Sequence, residues 1–174
     1  MKINKFALSM VLFVVLAIGG TLVYGKDTVE RIRLGNEQAD NGREHVSQAE
    51  APEYGNEDPH TSGDHGDPVP QQAYTTELPD YNTIHNLEHG YIYITYQPDL
   101  PQEEIDKLTD TFFKPYDDVS FAPTKVIMAP RASNTSPIVF SSWDRSLSFD
   151  TYDQQQMMDY YLGNVSKSPE PTAG

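Results

Sequence analysis

Hydrophobic positions along this chain come in three textures. From Phe6 to Tyr24 they run without a charged residue, about the length that crosses a hydrocarbon core at helical rise. From Lys26 to about Asp80 they thin out, and Pro52, Pro59, Pro68 and Pro70 together with Gly55, Gly63 and Gly66 deny that stretch a continuous hydrogen-bonded ladder. From Tyr91 onward they become periodic. Tyr91 to Tyr96 alternates and is aromatic or β-branched, which predicts a strand. Pro98 and Pro101 stop it. Pro101 followed by Glu103 and Glu104 marks a helix start, and Ile105, Leu108, Phe112 and Phe113 follow at helical spacing until Pro115. Lys125 to Ala129 predicts a buried strand closed by Pro130, Arg131 to Ser136 a turn, and Pro137 to Trp143 a second strand pairing antiparallel with the first. Tyr152, Met157, Tyr160 and Tyr161 predict an amphipathic helix over about 150–162.

These elements predict an α+β fold: a small antiparallel or mixed sheet in the order strand, helix, strand, strand, helix, helices covering one sheet, preceded by a long irregular Pro/Gly-rich loop. The spacing of Val29, Ile32 and Leu34 allows one or two helical turns between Asp27 and Glu37. The chain divides into an N-terminal membrane anchor or signal segment (1–25), a polar linker (26–44), one domain (45–165) and a flexible tail (166–174).

Charge places the domain. Lys2 and Lys5 precede the apolar run and acidic residues follow it, so the expected orientation is N-terminus in and domain out, held to the cytoplasmic membrane through residues 6–24. The alternative is secretion after cleavage near Gly25, since Val23-Tyr24-Gly25 offers residues a signal peptidase reads. A net charge of −14 repels nucleic acid and anionic headgroups, so no nucleic-acid partner is expected. The chain has no cysteine, which excludes disulfides, thiolate metal clusters, a thiol nucleophile and a lipoprotein anchor. No feature of the sequence identifies a protein partner.

Chemistry concentrates in His85-Asn86-Leu87-Glu88-His89-Gly90. Two imidazoles four residues apart share a face on a helical turn, the separation of a two-histidine metal grip, with Glu88 as a ligand, a base or an outer acceptor. Taken literally, His-x-x-Glu-His is the inverted zinc-peptidase signature. Those enzymes need a long helix and a later acidic ligand; here Gly90 and a strand follow at once, and Glu103, Glu104 and Glu170 read as poorly placed.

Arg43-Glu44-His45-Val46, then Thr61-Ser62-Gly63-Asp64-His65, then His85-Asn86-Leu87-Glu88-His89-Gly90, then Val126-Ile127-Met128-Ala129-Pro130 and Ser142-Trp143-Asp144-Arg145 stand in a telling order. In that order the chain resembles the bacterial domain-of-unknown-function family 3105, over about His45 to Leu162. Two departures from the family pattern stand out: His60 and Asp64 occupy positions where the family has proline. The resemblance implies a membrane-anchored, exported protein and brings no activity with it. It also singles out His45, His65, His85 and His89 and leaves His60 aside. Four such imidazoles in an exported, cysteine-free domain suit a transition metal, copper before zinc, with Met128 as a soft extra donor or, alternatively, a core methionine. The sequence thus supports a metal-binding domain. The alternative is a non-catalytic interaction module whose histidines are structural, and more distantly a metal-dependent hydrolase; catalysis is the weaker expectation.

Overall fold

The computed structural model describes residues 31–55, 57–113 and 125–172. The Phe6 to Tyr24 run, the cleavage site near Gly25 and Pro115 lie outside the described residues. Among the described residues no helix is long and apolar enough to cross a membrane.

The architecture is α+β, as the hydrophobic texture predicts, around one mixed sheet. Its strands are β1 (Asn36–Glu37), β2 (Ile92–Tyr96), β3 (Val126–Pro130), β4 (Ile138–Ser142) and β5 (Arg145–Phe149). The helices are α1 (Asp80–Glu88), α2 (Gln102–Phe113) and α3 (Gln154–Asn164). The strand order is β1-β5-β4-β2-β3. Strands β2 and β3 run parallel, joined through α2, and the other pairs are antiparallel.

The strand period of two decides what lies on each face. Ile92, Ile94, Val126, Met128, Ile138 and Phe140 share one face and pack with Leu108 and Phe112 of α2 and Met157 and Tyr160 of α3. Each fully buried side chain of this size stabilises the fold by roughly 1.5–3 kcal/mol. Tyr93, Ile127 and Ala129 point the other way, toward Ile84 and Leu87 of α1 and toward Trp143. Helices therefore cover both faces of the sheet.

Several local expectations change. The 125–129 and 137–143 strands are not neighbours, because β2 lies between them. The 131–136 connection crosses the end of β2, where Arg131 N donates to Tyr96 O at 2.8 Å and Gln97 N to Pro137 O at 2.9 Å. The supposed helical turns before residue 37 are, from residue 31 on, extended chain and the edge strand β1. A glycine is required there: Gly35 has φ +98°, and a Cβ on it would lie 2.7 Å from Ser146 O and 2.9 Å from the Tyr160 ring. Arg145 completes that edge, reaching Gly35 O at 3.1 Å and Glu37 at 3.6 Å. Part of the segment expected as a linker thus belongs to the sheet. Finally, Ser166 N donates to Gly90 O and Glu170 N to Glu88 O, so the segment expected as a loose tail lies against the end of α1.

Helix α1 carries the motif and escaped the periodicity because it is mostly polar. Several of its polar groups are buried with partners, although the buried Thr83 hydroxyl has none among the described residues. Asp80 takes both ends of the Arg131 guanidinium at 2.7 and 3.0 Å, and Asn86 exchanges two hydrogen bonds with the backbone of Val69 at 3.0 and 2.9 Å. Its C-terminus is a Schellman turn: Gly90 N donates to Leu87 O and Tyr91 N to Asn86 O. Gly90 sits at φ +81°, and a Cβ there would lie 2.6 Å from Ser166 Cα. Gly90→Ala is therefore expected to cost about 1–3 kcal/mol, read as a lowered denaturation midpoint. An unchanged midpoint would contradict this packing.

Candidate metal centre

Four imidazoles meet on one side of α1. Ring centroids are separated by 4.5 Å for His45–His65, 4.8 Å for His45–His85, 5.1 Å for His65–His85 and 4.5 Å for His85–His89. One ligating atom each from His45, His65 and His85 lie within 4.8 Å of one another. A tetrahedron of nitrogens at about 2.1 Å from zinc has edges of roughly 3.4 Å, so a small closure of the rings brings all three onto one cation. His60 stands apart: its Nδ1 meets Asp80 Oδ2 at 2.9 Å. Met128 packs in the core between sheet, α2 and α3, where its thioether fills space and does not join the imidazoles.

Separate stretches of backbone deliver the rings. The 42–46 and 61–66 segments pair through a single parallel bridge between His45 and His65, held by Val46 N to His65 O at 3.0 Å and His65 N to Glu44 O at 2.9 Å. Bridge partners project to the same side, so both imidazoles face α1. Tyr81, at the start of α1, clamps the pair: its hydroxyl donates to Val46 O and its carbonyl accepts from Gly66 N. Gly66 has no room for a side chain, since a Cβ would lie 2.1 Å from the Tyr81 ring.

Hydrogen bonds fix which nitrogen of each ring is free. His65 Nδ1 lies 2.8 Å from Gly63 O and His85 Nδ1 2.7 Å from Gly66 O. A carbonyl only accepts, so each Nδ1 carries the proton and each Nε2 of the neutral ring presents a lone pair. Metal-ligating histidines are oriented in this way.

Glu88 is the counter-charge. Its carboxylate is almost wholly buried and lies 3.1 Å from His65 Nε2 and 3.3 Å from His45 Nε2. For His65 this sets a lone pair against a carboxylate oxygen. Two acceptors at hydrogen-bond distance demand a positive charge between them, an added proton or a metal cation. Arg43 supplies a further charge at 3.6 Å from the other oxygen. His65 is fully buried while the His45 side chain is 59% exposed, so His45 is the solvent-facing side of the cluster.

Sequence reasoning missed one member. Glu170 stands with Glu88 and His89, one ligating atom each within 4.8 Å. Nothing local in the sequence signals this; the tail returns to α1 through backbone pairing at Gly90 and Glu88. Lys125 fastens it, donating to His89 O at 2.8 Å and Pro171 O at 2.7 Å.

Residues 45–174 match the family described as "Protein of unknown function (DUF3105)". The chain belongs to this family. No curated protein and no solved structure matches. All four motif histidines fall within the matched span, which begins at His45 and reaches past Glu170.

Burial lowers the proton affinity of His85 below the usual histidine range, aided by the nearby His89, His65 and His45, although the bond to Gly66 opposes this. Burial lowers that of His89 as well, against the pull of Glu88 and Glu170. A histidine whose folded pKa lies below the unfolded value of about 6.5 contributes stability that is complete above 6.5. That stability is lost as pH falls toward the folded pKa, because the unfolded chain then binds more protons. The melting temperature of the metal-free protein is thus expected to drop between pH 7.5 and 5.5, and less steeply in a His85→Gln/His89→Gln variant. Equal slopes would contradict the assignment.

Proposed function

We propose that this protein is a membrane-tethered, extracytoplasmic metal-binding domain whose first ligands are His45, His65 and His85, with Glu88 completing the shell. The observation that carries the reading is the approach of His65 Nε2 to the Glu88 carboxylate with Nδ1 already committed to Gly63 O. A metal ion between them would complete the pair, as an added proton would, and the two further imidazoles beside it favour the metal. The carbonyls behind His65 and His85 hold their Nε2 lone pairs toward the shared point, and lowered proton affinity at His85 keeps that ring neutral for ligation.

Donor chemistry orders the metals. Three imidazoles and a carboxylate suit copper(II), zinc, nickel or iron, and the Irving–Williams order places copper(II) above zinc for such nitrogens. With Met128 in the core, no thioether among the described residues softens the set toward copper(I). Four protein donors fill a tetrahedron and leave no place for a reacting water, which favours holding or relaying the ion over catalysis. The tether is the apolar run of residues 6–24.

A specific observation also favours a second reading, an interaction module with structural histidines: His85 of α1 bonds the carbonyl of Gly66, which would pin the Pro/Gly-rich loop to the helix without any metal, and His65 bonds Gly63 O within that loop. Loading separates the two readings. Copper(II) or zinc at a hundredfold excess over its Kd is expected to stabilise the full, detergent-solubilised chain by about 2.7 kcal/mol. His65→Ala and His85→Ala should each weaken binding by more than the roughly 10–100-fold that a lost outer partner costs. No uptake, or variants that bind like the wild type, would end the metal reading. The tether is tested separately. The protein is expected to stay in carbonate-washed membranes and to be cut by protease added outside intact spheroplasts; release by carbonate or full protection would contradict it.

A further inference from the structure

Glu88 has two carboxylate oxygens and they look in different directions. Oε2 faces His45 and His65. Oε1 faces Arg43, whose Nη1 lies 3.6 Å away and reaches Glu170 Oε1 at 3.5 Å. Glu88 also belongs to a second cluster with His89 and Glu170, one ligating atom of each lying within 4.8 Å of the others, and Arg43 links Oε1 to Glu170.

The second cluster is not a chance meeting of exposed side chains. Glu170 N donates to Glu88 O at 3.1 Å and Ser166 N to Gly90 O at 2.9 Å, so backbone bonds hold the tail beside the helix end. His89 is fixed in turn by α1 and by Lys125 on its carbonyl. Two carboxylates are thereby held together, and one guanidinium spans them at distances longer than the roughly 2.7–2.9 Å of a good charge-assisted bond. Arg43 is about half exposed, so its guanidinium borders solvent. A guanidinium seated loosely between two carboxylates beside an imidazole marks a place for a cation.

Resting on the metal reading above, we propose that the site takes two cations with Glu88 as the bridging carboxylate. The first is held by His45, His65, His85 and Glu88 Oε2. The second is held by Glu88 Oε1, His89 and Glu170, and Arg43 competes for it. The second has three protein donors and keeps a position for water or a small exogenous ligand. It binds more weakly than the first, because an arginine must leave and Glu170 is half exposed.

The test is zinc binding to the detergent-solubilised full chain, stripped with chelator, followed by equilibrium dialysis and titration calorimetry. Two equivalents are expected, one tight and one weaker. Glu170→Gln and His89→Gln should each remove the weaker event and leave the tight one. Arg43→Gln should tighten the weaker event by roughly tenfold, the effect of removing one partly screened charge at this range. Saturation at one equivalent would overturn the second site and leave the first intact. Uptake beyond one equivalent that persists unchanged in Glu170→Gln and His89→Gln would also overturn it. Zero equivalents would overturn the metal reading itself.

Discussion

A carboxylate leaves water at a cost of several kcal/mol unless charge and hydrogen bonds meet it inside, and Glu88 is buried on a helix that begins with another buried carboxylate, Asp80. The two are solved differently. Asp80 is answered completely by the Arg131 fork and by His60. Glu88 meets His65, whose other nitrogen is taken by Gly63 O, the half-exposed His45, and an arginine at arm's length. One end of α1 is thus a finished structural ion pair and the other is an incomplete one. That asymmetry is the reason to look for a cation at the His45, His65 and His85 end.

The fold serves this arrangement. The sheet and helices α2 and α3 form an apolar body that needs nothing from the histidines. The opposite face is thinly apolar and is roofed by a polar helix and an irregular loop, both held by specific hydrogen bonds. A loop without a ladder of its own is rigid here because it is stitched at Val69, Gly66 and Val46 to side chains or backbone of α1. Such stitching fixes ring orientation more closely than hydrophobic packing does, which is what a ligand set requires.

Hydrophobic period was enough to read β2, β3, β4, α2 and α3, because their apolar residues repeat at two or at three to four positions over a long enough span. It could not read α1, where Ile84 and Leu87 are the aliphatic residues among nine positions and the buried Asp80, Asn86 and Glu88 meet partners distant in sequence. It missed β5, whose Ser146 and Ser148 dilute the alternation of Leu147 and Phe149. It misplaced β4, since adjacency in sequence favoured a hairpin while β2 offered a central strand to pair on both edges. The four clustered imidazoles were legible through the order of the family-like motifs. Arg43 and Glu170 were not, because what brings them to Glu88 is a chain reversal and backbone pairing that leave no mark on local composition.

X-ray absorption at the metal edge tests the central claim most directly, on the full chain loaded with one equivalent of copper(II) or zinc. The account predicts a first shell of nitrogen and oxygen at about 2.0–2.1 Å, with the outer-shell scattering of at least three imidazole rings, reduced by one ring in His65→Ala and in His85→Ala. A shell without imidazole scattering, or a spectrum that neither substitution alters, would contradict it.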